Sequence, residues 1–170
     1  AVPLHRRENL PVMAGLAEAL AAAARAHPDH LFVLPMHRNP AVREALRPAL
    51  APVENVLLDD DWAYLDMVGL LRGARLILTD SGGIQEEAPA LGKPILVLRT
   101  ETERPEAVAA GTVKVVGVEK EDIIREASKL LDDPRAYAAM AHAVNPYGDG
   151  HASRRIVEAL LYAAGRVATP

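Results

Sequence analysis

Short runs of apolar residues alternate with longer stretches in which apolar positions recur every three or four residues. The runs fall at 31–34, 53–58, 75–79, 94–98 and 112–116. The third and fourth are almost unbroken, the pattern of parallel strands covered on both faces. Residues 2–4 read as the stump of a further strand. Helical spacing predicts helices over 13–26, 40–46, 61–71, 83–91, 119–131, 134–143 and 151–167. Leu16 and Leu20 stand four apart in the first, and Pro11 suits its first turn. Asp61 is the expected cap of the third helix, and Gly73 its stop. Ile123, Ile124, Ala127 and Leu130 share one face of the fifth.

Such alternation implies right-handed βαβ units. The expected fold is α/β, a Rossmann-like open parallel sheet with helices on both faces. It forms a single domain over residues 1–170, with no internal repeat or low-complexity linker. Ligands of such sheets bind beyond the carboxyl ends of the strands. The loops at 5–9, 36–40, 59–62, 80–83 and 99–105 therefore carry the candidate chemistry.

Composition narrows the function classes. Of 170 residues, 31 are alanine and only six are Phe, Trp or Tyr, so Leu, Val, Ile and Ala must build the core. The absence of cysteine excludes disulfides, thiolate metal sites and a cysteine nucleophile. A formal charge of −4 argues against a general nucleic-acid binder. No apolar run approaches the roughly 20 residues that span a membrane. No charged-then-apolar leader opens the chain, so the expectation is a cytoplasmic protein with no membrane partner.

The segment Thr79-Asp80-Ser81-Gly82-Gly83-Ile84-Gln85-Glu86-Glu87 is the most informative. A buried strand ends, two glycines turn the chain, and a helix begins. Unpaired amides at such a start suit a phosphate, and Gly82 and Gly83 let an anion come close. Ser81 adds a hydroxyl, and Glu87 can accept from paired ribose hydroxyls. The bland alternative is a tight turn capped by Ser81. Asp80 has its own bland role, accepting local backbone N–H groups. Protease signatures containing Asp-Ser-Gly belong to β-rich folds, and the string lacks the G-x-S-x-G elbow.

Further cations follow other strands. His5-Arg6-Arg7-Glu8-Asn9 places three beside the stump, with Asn9 as a possible cap for the next helix. Arg104 is the one cation in Thr100-Glu101-Thr102-Glu103-Arg104-Pro105-Glu106, suited to a phosphate or to a surface ion pair. His37-Arg38-Asn39-Pro40 is a second anion contact by position. His27, His30 and His142 read as surface or helix-end residues. No two histidines show helical ligand spacing, so no metal site is expected.

Four segments together carry a resemblance. The stretches 5–9, 79–89, 102–106 and Asn145-Pro146-Tyr147-Gly148-Asp149-Gly150 occur in the order and spacing of the non-hydrolysing UDP-N-acetylglucosamine 2-epimerases. The chain resembles only the C-terminal half of those enzymes. They are built of two Rossmann-like domains in the glycosyltransferase-B arrangement, with substrate in the cleft. The resemblance implies that Ser81, Gly82 and Gly83 hold the diphosphate of UDP. By the same resemblance Glu87 binds the ribose, Arg104 contacts the nucleotide, and His5 serves catalysis beside the diphosphate or sugar. Arg7 and His37 look like part of a regulatory UDP-N-acetylglucosamine site. Met67 stands where the family often has an aromatic near the uracil, and Trp62 is the expected substitute surface.

The implied reaction interconverts UDP-N-acetylglucosamine and UDP-N-acetylmannosamine by eliminating and re-adding UDP. It needs no cofactor. The proton-transferring carboxylates belong to the absent N-terminal domain, so this chain alone is expected to be inactive. The implied partners are UDP and UDP-N-acetylhexosamines, with a homodimer for the full-length enzyme and a role in cell-surface polysaccharide synthesis. A stand-alone nucleotide-sugar sensor and half of a hydrolysing 2-epimerase are the alternatives.

Overall fold

The protein is described by a computed structural model covering residues 1–60 and 62–167. Among the described residues the strands are β1 (Phe32–Pro35), β2 (Val56–Asp59), β3 (Ile77–Thr79), β4 (Ile95–Val97) and β5 (Val113–Val115). All pair in parallel, β1 with β2 and β3 with β4 and β5. The helices are α1 (Met13–Ala26), α2 (Pro40–Leu50), α3 (Tyr64–Gly73), α4 (Gly82–Glu87), α5 (Pro105–Ala110), α6 (Lys120–Asp132), α7 (Pro134–Ala141) and α8 (Ala152–Ala163). A 3-10 turn, Arg7–Val12, precedes α1 and contains Pro11. The expected cap Asp61 lies outside the described residues.

Residues 1–4 join the two strand groups into one sheet. Ala1 donates to Leu76 O at 2.9 Å and accepts from Leu78 N at 3.0 Å, a parallel pairing with β3. On the other side Val2 donates to Val33 O at 2.8 Å, and Leu4 makes a parallel bridge to Met36. Pro3 and Pro35 have no amide to donate, so the ladder on either side is interrupted. Thr79 Oγ1 compensates in part, donating to Pro3 O at 2.8 Å. Val2 and Leu4 are buried. The segment read as the stump of a further strand is therefore the middle of this chain's own sheet.

With this segment counted first, the strands follow the doubly wound order 3-2-1-4-5-6. The order reverses between residues 1–4 and β3. Side chains alternate across the sheet with the period of two that strands impose. Phe32, Leu34, Leu78, Leu96 and Leu98 join the large core with α1, α2 and α6, whereas Ile77, Ile95, Val97 and Val113 join Leu71 and Ala107 on the other face. Met13, Leu16, Ala17, Leu20 and Ala24 of α1 are all fully buried, their small neighbours letting α1 pack closely on α2 and α6.

Three departures from expectation have a local cause. Helix α2 continues past Leu46 to Leu50 through Pro48, because Leu46 and Leu50 are both buried beside α1. The fourth helix breaks after Glu87 into a 3-10 turn, Ala88–Leu91, where Pro89 lacks an amide. Helix α5 follows the expected loop where no helix was expected, with Pro105 at its first position and Gly111 at φ +78° ending it. Among the described residues no helix is long and apolar enough to cross a membrane.

Candidate functional site

The loops after residues 1–4 and after β3 leave the sheet side by side at the point where strand order reverses. An open cavity of about 930 Å³ lies over them, and its lining includes His5, Arg7, His37, Ser81, Gly82, Gly83 and Arg104. A second hollow of about 360 Å³ adjoins it through His5, His37 and Arg38, with Trp62, Met67 and Ile84 on its far wall. Nine of the ten residues singled out in the sequence thus face one continuous surface. Glu87 lines neither hollow but stands at its margin. Its Oε1 lies 3.9 Å from where a Cβ on Gly83 would be.

Asp80 organises the meeting of the two loops. It is fully buried at the end of β3. Its Oδ1 accepts from His5 N at 3.0 Å, and its Oδ2 from Arg6 N at 3.0 Å and Asn9 Nδ2 at 3.2 Å. Asp80 therefore does not hold its own turn, as the local reading has it, but the turn of a segment 75 residues earlier. Asn9 is likewise no helix cap. It is buried and also donates to Leu98 O at 3.0 Å, tying the same turn to the end of β4.

His5 is exposed above this anchor, its ring stacked on that of His37 with centroids 5.8 Å apart and planes 21° from parallel. His37 accepts from Asn39 N at 3.1 Å, and its carbonyl accepts from Arg43 Nε at 2.9 Å. Arg7 is exposed at the cavity edge.

Ser81 caps α4, its Oγ accepting from Ile84 N at 3.5 Å. Helix α4 has only six residues, so its dipole is short. Gln85, fully buried, holds the opposite loop in place. It donates to Ser81 O at 3.1 Å and accepts from Thr102 Oγ1 at 2.5 Å. Thr102 Oγ1 in turn accepts from Arg104 N at 3.1 Å. Arg104 pairs through Nε with Glu86 and donates to Glu103 O at 3.1 Å. Glu87 accepts from Tyr64 OH at 3.2 Å.

Trp62 and Met67 are both half-buried. The Trp62 indole N–H is buried without a partner, a donor aimed at no protein acceptor. The glycine-rich loop after α7 is held by Asn145, which accepts from Tyr147 N at 3.1 Å, and by Asp149, which pairs bidentately with Arg155 at 2.7 and 2.6 Å. That pairing lowers the Asp149 carboxyl to about 2. Tyr147 packs on the smaller core, and burial beside Glu106 pushes its phenol up to about 12.

Sequence reasoning missed Asn9, Gln85 and the reach of Asp80. Their signal was polarity in otherwise buried surroundings, which becomes visible only once their partners are known.

A family model described as UDP-N-acetylglucosamine 2-epimerase matches residues 1–161. The chain is 54% identical over 157 residues to the UDP-N-acetylglucosamine 2-epimerase of Escherichia coli K12, covering 92% of this chain and 42% of that protein. It is 51% identical over 162 residues to a putative UDP-N-acetylglucosamine 2-epimerase of Thermotoga maritima, covering 95% of this chain and 43% of that protein. The crystal structure of UDP-GlcNAc 2-epimerase from Neisseria meningitidis bound to UDP-GlcNAc superposes with a TM-score of 0.90 at 49% identity, over 95% of this chain and 44% of that one. A glycosyltransferase of kitacinnamycin, 19% identical with a TM-score of 0.56, shares the fold alone. The chain spans less than half the length of the epimerases it matches.

Proposed function

The chain belongs to the UDP-N-acetylglucosamine 2-epimerase family, and on that premise we propose that it is the UDP-binding, C-terminal domain of such an enzyme. The observation that carries this reading is the juxtaposition at the strand-order reversal. A two-glycine turn, a serine hydroxyl and the His5 loop share one open cavity. Open parallel sheets bind nucleotides at that point. The Neisseria meningitidis relative is bound to UDP-GlcNAc, and a Staphylococcus aureus relative with 43% identity is a co-structure with UDP.

Each residue then has a task. Ser81, Gly82 and Gly83 receive the diphosphate, and Glu87 releases Tyr64 to accept the ribose hydroxyls. Arg104 contacts the nucleotide from the facing loop. The uracil lies in the smaller hollow against Trp62 and Met67, where the orphaned indole N–H finds an acceptor. Arg7 and His37, on the opposite rim, contribute to a regulatory site for UDP-N-acetylglucosamine.

The reaction is the interconversion of UDP-N-acetylglucosamine and UDP-N-acetylmannosamine. The sugar C2–H is not α to a carbonyl, so direct deprotonation is difficult. Elimination of UDP and re-addition to the other face avoids it. This half of the cleft stabilises the departing diphosphate electrostatically, with His5 beside it. The proton-transferring carboxylates come from outside this chain. The full-length enzyme is read as a cytoplasmic homodimer that takes nucleotide-sugars rather than nucleic acid and serves cell-surface polysaccharide synthesis.

Calorimetric titration with UDP tests the site. The chain is expected to bind weakly, because half a cleft lacks the other half's contacts and its exclusion of water. Ser81→Ala and Glu87→Ala should each weaken binding about fivefold, the worth of one hydrogen bond near 1 kcal/mol. Equal affinity in all three proteins overturns the assignment. The same preparations should show no turnover to UDP-N-acetylmannosamine, and turnover would refute the division of the site.

A further inference from the structure

Glu103 occupies the place an anion would take. A Cβ added to Gly82 would meet Glu103 Oε1 at 2.6 Å and Arg6 Nη2 at 3.7 Å. Gly82 has no positive φ to explain its identity. What it provides is room for a carboxylate against its Cα. That carboxylate is gripped from two sides, by Arg6 through Oε1 and by Arg99 Nη1 through Oε2 at 2.6 Å.

The three residues come from three different places. Arg6 follows the first segment of the sheet and is steadied by Asp80, whose backbone oxygen accepts from its Nε at 3.3 Å. Arg99 follows β4 and is 14% exposed, whereas Glu103 is 38% exposed. Both guanidiniums are thus more buried than the carboxylate, and Arg6 has a second hold in Asp80, so the carboxylate is the most exposed member of the cluster. Two guanidiniums converging on two oxygens beside a bare glycine is the arrangement that a phosphate group also satisfies.

We infer that Glu103 is an exchangeable counter-ion, holding the diphosphate position in the unliganded protein, and that Arg6 and Arg99 are the cations released to a phosphate when it swings away. The inference rests on the UDP-binding reading and adds two phosphate ligands and one internal competitor to it. A site open only when Glu103 has left binds with its intrinsic affinity reduced by the open fraction. An exposed ion pair of this kind is weak, so the reduction is modest.

The test is titration with UDP and, separately, with inorganic pyrophosphate at low salt. Glu103→Gln should tighten both about threefold to fivefold. Glu101→Gln removes the same charge from the same loop, away from Gly82, and should change affinity less than twofold. In the Glu103→Gln background, Arg99→Gln should weaken both ligands several-fold. Weaker binding in Glu103→Gln would make Glu103 a ligand and overturn the proposal. So would equal tightening in Glu101→Gln, which reduces the effect to net charge. Binding of UDP by the parent with no response to Glu103→Gln sinks this inference alone. No UDP binding by any of the proteins sinks the functional reading as well.

Discussion

At the scale of single residues, the site depends on a buried carboxylate. Asp80 has three N–H donors and no exposure, so its charge is tolerated only because those donors converge on it. An amide keeps the shape but leaves one side of the group with a donor facing donors. Asp80→Asn should therefore lower stability by about 2–3 kcal/mol in urea unfolding, and the His5 and Arg6 amides should exchange faster. An unchanged midpoint with unchanged exchange would disprove the anchoring role. The sequence showed a carboxylate at a strand end. It did not show the partner, because nothing local distinguishes an acid that holds its own turn from one that holds a turn 75 residues away. Ser81, Gly82 and His5 were easier to find because a glycine pair after an apolar strand carries its meaning within a few residues.

At the scale of elements, two amphipathic helices have opposite fates. Helix α1 sinks Leu16 completely into the main core, whereas α8 has no buried residue and leaves Leu160 64% exposed, with Ile156, Val157 and Tyr162 beside it. Leu16→Ala should cost about 2–5 kcal/mol, and Leu160→Ala within about 0.5 kcal/mol, compared by denaturant unfolding of the same chain. Similar losses for the two would contradict the packing described. Periodicity located both helices but could not separate them, because an apolar stripe reports what a helix can bury and not what stands opposite. For the same reason the end of α2 was misjudged: Pro48 reads as a stop, yet the burial of Leu50 carries the helix through it. Helix α5, six residues long between a proline and a glycine, is too short to show a period at all.

At the scale of the whole molecule, β-α alternation made the parallel sheet legible, and four of its loops proved to surround the cavity. Strand order was not legible. Pro3 weakens the appearance of the first segment as a strand, and only the bonds on both its sides reveal that it is central. That placement has a kinetic consequence. Residues 1–4 touch β1 about 30 residues later in the chain, and β3 about 75 residues later. Closing the longer loop costs more chain entropy, and contacts so distant in sequence slow folding. The two strand groups can each collapse on nearer neighbours first, leaving the line between residues 1–4 and β3 to zip last. Removing the Thr79 hydroxyl, which donates to Pro3 O across that line, with Thr79→Val should then speed unfolding while leaving the refolding rate nearly unchanged, and a Φ-value near one there would reverse the order. The open cavity straddles that line, so it has no partly folded precursor: a molecule either has completed its fold or has no site to offer.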